Sequence, residues 1–407
     1  MNFTVLFDLD GTLLQNEDSI FIPAYIDLLG NYLGKDVPSQ KIQLAVLKAT
    51  QIMEDNKDPT KTLEECFDDY FYPKIGLSKS DLQKDIERFY REFFPDLRIY
   101  TSELQEAKSL TNKLIDKGTD LVIATNPLFP RVAITQRILW ANLKPQIEDY
   151  ALITCYENFH FAKPNPAYYA EILANLGWPE GPVVMVGNDW MRDIIPAEKI
   201  GIPTFFLSGS NEKTSKPTNA KSSFGNWSDL ELWIEKIFLS GSSMEPENSI
   251  EAYIAILLST AAFIDNLSRI SKKISYWNIR PIPTEWSLVE IITHLADVDS
   301  DVNLPRMNLI QDENVPFFPA ISTDEWATER NYIKNNPIEE MERFLQNRKQ
   351  LINILSSLTN QKLEKQVNHA IFGPTKILEI IKFITQHDRI HINQIHNTIS
   401  LLNSKTS

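Results

Sequence analysis

Cysteine is scarce in this chain, with two residues among 407. Cys66 and Cys155 are far apart and form no CxxC pair, so neither a disulfide framework nor a thiolate zinc site is indicated. A long hydrophobic run is missing as well. The first apolar segment reaches Asp8 within a few residues, which is too short and too soon acidic for a signal peptide. The longest later one, around Ala252 to Ile264, is interrupted by polar residues and falls short of a membrane span.

Basic residues are in deficit: 40 Lys and Arg face 54 Asp and Glu, a net charge of -14. Such a chain would repel a phosphate backbone, which argues against nucleic acid as a partner. The hydrophobic fraction of 43% and the charged fraction of 23% are ordinary for a globular protein. We therefore expect a cytoplasmic protein without a membrane partner, and the length predicts two or three domains at about 150 residues each.

Three short apolar runs predict buried strands that are followed by polar residues. The runs cover 3–9, 120–124 and 183–186. Asp10, Thr125 and Asn188 lie in the polar segments that follow them. Because ligands bind at the carboxyl edge of an open parallel sheet, these segments predict the site.

Helical periodicity occupies the segment between the first two apolar runs. It recurs through the last third of the chain. We predict a first domain at 1–240 with a helical cap at about 15–98, which would cover the strand ends as a lid. A Ser- and Gly-containing stretch at 239–246 is the predicted boundary, after a polar segment at 208–225. A second domain at 248–407 then has four long amphipathic helices.

Two carboxylates lie at the end of the first run. Asp8 and Asp10 are two residues apart, so they lie on the same side of an extended strand, and Gly11 lets the chain turn away. Two adjacent acids repel unless a cation lies between them, and a hard divalent ion such as Mg²⁺ prefers such oxygens. The spacing therefore predicts a Mg²⁺ site.

This DxDGT motif and three later motifs resemble those of the haloacid dehalogenase superfamily. The later motifs are Thr125 after the second strand, Lys163 before a helix, and the segment 187–193, which reads GNDWMRD. The resemblance covers about residues 1–238. It implies an α/β fold with a Rossmann-like parallel sheet and a C1-type helical cap, and a hydrolase that acts on small phosphorylated metabolites.

The resemblance also implies roles for individual side chains. Asp8 would be the nucleophile that forms an aspartyl-phosphate, and Asp10 would be the general acid and then the base. Thr125 would donate a hydrogen bond to a phosphoryl oxygen, Lys163 would balance the developing charge, and Asn126 would contact the substrate. An acid at position 10 argues against dehalogenation, because a halide leaving group needs no proton.

The same resemblance implies the Mg²⁺ ligands. Asp189 and Asp193 would complete the site with Asp8 and the backbone carbonyl of Asp10. Many relatives carry an acid directly after the glycine, where this chain has Asn188. Either Asp189 serves instead or Asn188 binds through its amide oxygen, and the sequence leaves this division of roles open.

Three histidines form a second pattern near the end of the chain. His387 and His391 are four residues apart and face the same way on a helix, and His294 lies on an earlier helix. Three imidazoles that meet in a bundle core would bind zinc, nickel or iron and leave a position open for water.

The wider pattern around these histidines resembles the DinB-like family of four-helix metal-binding proteins. It includes the segments 286–298 and 387–395, together with Arg348, and covers about 248–402. The resemblance implies an all-α bundle with metal-dependent hydrolase or thiol-transferase chemistry, in which Asp388 and His369 would support the metal or contact a substrate.

Three alternatives stay open. The first domain could be a phosphomutase instead of a phosphatase. The bundle could be an interaction module without catalysis. A homodimer is not decided by the sequence.

Overall fold

The chain divides into two compact units. One comprises Met1–Ile172 and Pro179–Pro246, and the other comprises Leu173–Trp178 and Glu247–Ser407. The computed structural model describes residues 3–35, 37–144, 149–208, 220–240, 244–312 and 316–406. The predicted boundary at 239–246 and the polar segment at 208–225 therefore fall partly outside the described residues.

A parallel sheet of six strands forms the centre of the first unit. The strands of this unit are β1 (Thr4–Phe7), β2 (Leu14–Asn16), β3 (Thr101–Glu103), β4 (Asp120–Ile123), β5 (Leu152–Ile153), β6 (Val183–Gly187), β7 (Thr204–Leu207) and β8 (Ser223–Gly225). The order in the sheet is β5-β4-β1-β6-β7-β8, and every pairing is parallel. The side chains of β1 are buried, as expected for a strand with helices on both faces.

The three strands predicted from apolar runs are confirmed, and they are β1, β4 and β6. They are neighbours at the middle of the sheet, with Leu6 paired to Val122 on one side and to Met185 on the other. Their carboxyl ends therefore meet, and the polar residues that follow them face a common edge.

Helices cover the sheet and form an insertion between β2 and β3, which pair with each other in antiparallel fashion. The insertion contains α1 (Asp18–Leu33), α2 (Ser39–Glu54), α3 (Leu63–Ile75) and α4 (Lys79–Arg88), followed by a π turn at Phe89–Phe93 and a 3-10 helix at Phe94–Tyr100. The other helices are α5 (Gln105–Asp116), α6 (Arg131–Trp140), α7 (Pro166–Asn175), a π turn at Trp190–Ile194, α8 (Ile195–Lys199) and α9 (Trp227–Ser240).

The second unit is built around four long helical segments, as predicted. Its helices are α10 (Ile250–Arg269), α11 (Leu288–Val298), α12 (Leu304–Asp312), α13 (Trp326–Glu329), α14 (Pro337–Ser356), α15 (Asn360–Leu363) and α16 (Ile377–Thr406). A π turn at Asp299–Asn303 joins α11 to α12, and 3-10 turns lie at Ser271–Lys273 and Tyr332–Lys334.

The expectation that this unit is all-α needs one addition. A small sheet of three strands, in the order β11-β10-β9, accompanies the helices. Its strands are β9 (Phe317–Phe318), β10 (Gln366–His369) and β11 (Gly373–Lys376).

Helix α10 is long and apolar enough to cross a membrane by length and composition, with a mean hydropathy of 1.4 over its most apolar window. The expectation that this stretch falls short of a span was wrong in that respect, because the helix continues through Tyr253, Ser259 and Thr260. Within the bundle, 78% of that window is buried, as is usual for a core helix.

A buried ion triad lies inside the bundle. Arg348 on α14 donates to Asp299 Oδ2 at 2.7 Å, and it also pairs with Asp388 on α16. All three side chains are about 1% exposed. Removing a partner from such a group leaves an uncompensated buried charge, which costs far more than the pair contributes.

We expect Arg348→Met to destabilise the bundle by about 3–5 kcal/mol, because Asp299 and Asp388 lose their counter-charge. A urea titration of the full chain, followed by circular dichroism, measures the change. The control is Lys376→Met, since that lysine pairs with Glu364 at an exposed position and should have little effect. Equal stability of the two variants would contradict the prediction.

Candidate active site and metal centre

A buried lysine bridges two carboxylates at the carboxyl edge of the parallel sheet. Lys163 Nζ lies 2.7 Å from Asp8 Oδ1 and 2.7 Å from Asp193 Oδ1, and the lysine is 2% exposed. Asp8 directly follows β1, and Asp193 lies in the π turn after β6. The sequence predicted these three residues for one site, and the structure brings them together.

Burial and neighbouring charges shift the pKa values of Lys163 and Asp193 in opposite directions. Burial alone would lower the pKa of Lys163, but Asp193 and Asp8 raise it well above its usual value. Burial raises the pKa of Asp193 to about 6, although Lys163 acts against this shift. Lys163 is therefore a fixed positive charge at neutral pH.

Two glycines allow the polar loops to approach each other. A Cβ on Gly187 would lie 2.2 Å from Asp193 Oδ2, so a side chain there would displace this carboxylate. Gly11 has φ +73°, and its Cβ would lie 2.3 Å from Asn188 Nδ2. The glycines of the first and last motifs are thus required by close contact.

Asp10 is held by three side chains. Asn16 Nδ2 donates to its Oδ1 at 2.9 Å, Thr125 Oγ1 lies 3.5 Å from its Oδ2, and Arg137 on α6 forms an ion pair with it. Sequence analysis missed Arg137. A signal was available, because Arg137 follows Ala133 and Ile134 at helical spacing and so falls on a buried stripe.

The remaining predicted residues occupy defined positions at this edge. Asn126 Oδ1 accepts a hydrogen bond from the backbone N–H of Lys163 at 3.1 Å, so this side chain orients the lysine loop. Asn188 Oδ1 accepts from Thr12 Oγ1 at 3.1 Å. Asp189 Oδ1 accepts from the N–H groups of Met191 and Arg192, which makes Asp189 the N-cap of the π turn.

The carboxylates of this edge, together with Asn126, Lys163 and Asn188, line a cavity of about 360 Å³. Besides Lys163, Arg192 supplies positive charge to its lining, and Arg192 lies 3.7 Å from Glu54 and 4.0 Å from Asp18. Carboxylates outnumber these cations; they come from Asp8, Asp10, Glu17, Asp18, Asp189 and Asp193.

The oxygen donors fit a hard divalent cation. Asp8, Asp10, Asn188 and Asp189 all line the cavity, and carboxylate, carbonyl and amide oxygens are the ligands that Mg²⁺ accepts. The excess of negative charge in the lining is relieved when such an ion binds. Asp193 is less available, because its two oxygens already accept from Lys163 and from the backbone of Asp189.

The three histidines of the bundle converge through one nitrogen each. His387 Nε2 lies 3.1 Å from His294 Nε2 and 3.2 Å from His391 Nε2. Ligand nitrogens about 2.1 Å from one metal ion are separated by about 3.0–3.4 Å, so the spacing fits three ligands of a single ion.

The surroundings of the histidines favour neutral rings. Burial, aided by the neighbouring histidines, lowers the pKa of His294 and of His387 to about 3. Gln394 Oε1 lies 2.9 Å from His391 Nδ1, which places the proton on Nδ1 and leaves Nε2 for a metal. The ring of Trp286 is stacked parallel to His391 at 6.0 Å.

Two other predicted residues make specific contacts of their own. Asp388 faces Arg348 in the buried triad, and His369 on β10 accepts from the N–H of Ile371 through Nδ1 at 3.1 Å. Sequence analysis gave Gln394 no role. Its position three residues after His391 on one helix face was the available signal.

Family models match both parts of the chain. The family model for haloacid dehalogenase-like hydrolases matches residues 5–207, and the DinB superfamily model matches residues 266–395. The chain therefore belongs to the haloacid dehalogenase-like hydrolases in its first part and to the DinB superfamily in its last. No curated protein sequence matches the chain.

Solved structures share these folds at low identity. A HAD phosphatase from Thermococcus onnurineus is 16% identical, with 57% of this chain and 97% of that chain covered and a TM-score of 0.38. A 2-haloacid dehalogenase from Pseudomonas syringae is 17% identical, with 58% and 99% covered and a TM-score of 0.41. YfiT from Bacillus subtilis, a four-helix bundle, is 15% identical, with 40% and 92% covered and a TM-score of 0.35. The similarity concerns the fold alone.

In the DinB part, we expect Gln394→Leu to weaken zinc binding by about 10- to 100-fold, because His391 loses the partner that fixes its proton. Competition with a chromophoric chelator, in excess Mg²⁺ to occupy the hydrolase part, measures the affinity. The control is Gln350→Leu at an exposed position of α14. Unchanged zinc affinity in Gln394→Leu would show that the hydrogen bond does not matter.

Proposed function

We propose that the hydrolase part is a Mg²⁺-dependent phosphatase of a small phosphorylated metabolite that works through an aspartyl-phosphate. The observation that carries the proposal is the Asp8 carboxylate, which follows β1, lines the cavity and is paired with the buried Lys163. The cavity volume of about 360 Å³ supports a small substrate.

The chain's own residues account for both steps of such a reaction. An oxygen of Asp8 attacks phosphorus, the bond from phosphorus to the leaving oxygen breaks, and Asp10 gives that oxygen its proton. Asp10 then takes a proton from the water that attacks the aspartyl-phosphate, so that phosphate leaves and Asp8 is restored. Lys163 keeps Asp8 oriented, and Thr125 donates to a phosphoryl oxygen.

A bound Mg²⁺ ion would neutralise phosphoryl charge in this cavity. Asp8, the backbone carbonyl of Asp10 and Asn188 would hold it, with Asp189 and Asp193 beside them. Support comes from the oxygen-rich lining and from the commitment of Asp193 to Lys163 and of Asp189 Oδ1 to the π turn.

Asp8→Asn should lower hydrolysis of p-nitrophenyl phosphate by at least about 1,000-fold, because the amide is no nucleophile. Phosphate release is measured with and without Mg²⁺. The control, Asp116→Asn, makes the same change at a carboxylate that is 73% exposed, and it should keep wild-type activity. Full activity of Asp8→Asn would refute the proposal. A wild-type protein that becomes phosphorylated but releases no phosphate would favour the phosphomutase, which returns the phosphoryl group to its product and not to water.

Asn188→Asp should lower the half-saturating Mg²⁺ concentration by about 10-fold, since it adds a charged ligand where the chain has a neutral one. The measurement is phosphatase rate against Mg²⁺ concentration at fixed substrate. If the half-saturating concentration does not change, Asn188 lies outside the Mg²⁺ shell and Asp189 takes its place as the proposed ligand.

For the DinB part we propose a site for zinc, nickel or iron at His294, His387 and His391. Two observations carry this proposal: His387 Nε2 lies 3.1 Å from His294 Nε2 and 3.2 Å from His391 Nε2, and the three ligand atoms all lie within 4.8 Å of one another. The zinc titration designed for Gln394→Leu tests it too. A wild-type chain that binds no transition metal would contradict the proposal and leave the interaction module as the better hypothesis.

A further inference from the structure

Arg137 is a buried cation beside the proposed acid and base. It lies on α6, is 2% exposed, and forms an ion pair with Asp10, whose side chain is 21% exposed and lines the cavity. Burying a guanidinium is costly, and the attraction within its ion pair can fail to repay that cost. The cost therefore needs a reason besides stability.

Two aromatic rings fix the direction of this side chain. The Arg137 Cζ atom lies 5.1 Å from the centre of the Phe21 ring and 5.1 Å from that of Phe129. Phe21 belongs to α1 of the cap, and Phe129 directly precedes α6. The guanidinium therefore has little freedom, and its Nε atom is buried without a hydrogen-bond partner in the part of the chain that the structure describes.

The side chains around Asp10 divide its two oxygens between them. Asn16 and Arg137 both bind Oδ1, and Thr125 lies nearest to Oδ2. Asn16 is a neutral partner that is 9% exposed on β2, and Thr125 is at the outer limit of a hydrogen bond. Arg137 is thus the charged one of the three contacts, and it is almost completely buried.

We infer that Arg137 is a positioning residue that holds the Asp10 carboxyl group at the angle from which it exchanges protons with the leaving oxygen and with water. Arg137 reaches Asp10 from the core side, so it acts through Asp10 and does not touch the substrate. The inference rests on the proposed phosphatase function.

The test is a double-mutant cycle with Arg137→Met and Asp10→Asn, using an alkyl phosphate whose leaving group needs a proton. Alone, Arg137→Met should lower kcat on the order of 10- to 100-fold with KM within about two-fold, because a small misplacement of a reacting group has a cost of that size. In the Asp10→Asn background, the same change should lower kcat no further. A purely structural residue would cause the same loss in both backgrounds.

Two further variants distinguish a positioning role of Arg137 from a general loss of structure. Arg137→Lys keeps the positive charge but loses the planar guanidinium with its fixed set of N–H donors. Its kcat should fall about 3- to 10-fold at unchanged KM, again only when Asp10 is present. It replaces Arg137→Met if circular dichroism shows that the methionine variant is unfolded. The matched control is Arg91→Met, at an arginine that is 71% exposed, and it should leave kcat unchanged.

Each outcome is decisive. Equal losses in both backgrounds, or an Arg137→Lys variant as active as wild type, would overturn the positioning role while the phosphatase stands. If the wild-type chain hydrolyses no phosphate ester, the proposed function fails and this inference fails with it.

Discussion

The acidic edge of the parallel sheet depends on one buried ammonium group. Lys163 binds Asp8 from the end of β1 and Asp193 from the π turn after β6, and its own backbone is bound by Asn126 from the loop after β4. Two buried carboxylates so close together would repel each other without a cation between them. Lys163 therefore lets the neighbouring strands β1 and β6 end side by side with acidic residues facing one cavity.

In the DinB part, one cation also lies between two acidic side chains, but this group is closed to solvent. Arg348 compensates Asp299 and Asp388, but both acids are almost completely buried, whereas Asp8 lines a cavity. The planar guanidinium can serve two carboxylates by parallel hydrogen bonds, which suits a closed position between helices. A lysine presents a point charge. Lys163 binds Oδ1 of Asp8, so the second oxygen remains available for the proposed attack on phosphorus.

Much of the hydrolase site could be predicted because its residues follow strands whose apolar character is easy to read. A strand buried on both faces is a continuous apolar run, so Asp8, Thr125 and Asn188 are located by the ends of β1, β4 and β6. Arg137 and Gln394 were not predicted, because the sequence does not show which side chain each of them contacts. Arg137 meets Asp10 through the packing of separate elements, and Gln394 meets His391 through the orientation of the histidine ring. The small sheet of the bundle was not predicted because β9 has two residues and β10 contains one apolar residue, Val367, although its burial alternates.

The position of Phe21 has a consequence for how this enzyme can diversify. The α1 face that carries Phe21 packs on the arginine beside Asp10, so the cap and the proposed acid and base share one contact. A change at Phe21 would therefore reach the proposed acid and base through Arg137. On α2, Glu54 lies 3.7 Å from Arg192, which lines the cavity. New substrate preferences are therefore expected to arise at cap residues that contact neither of these arginines.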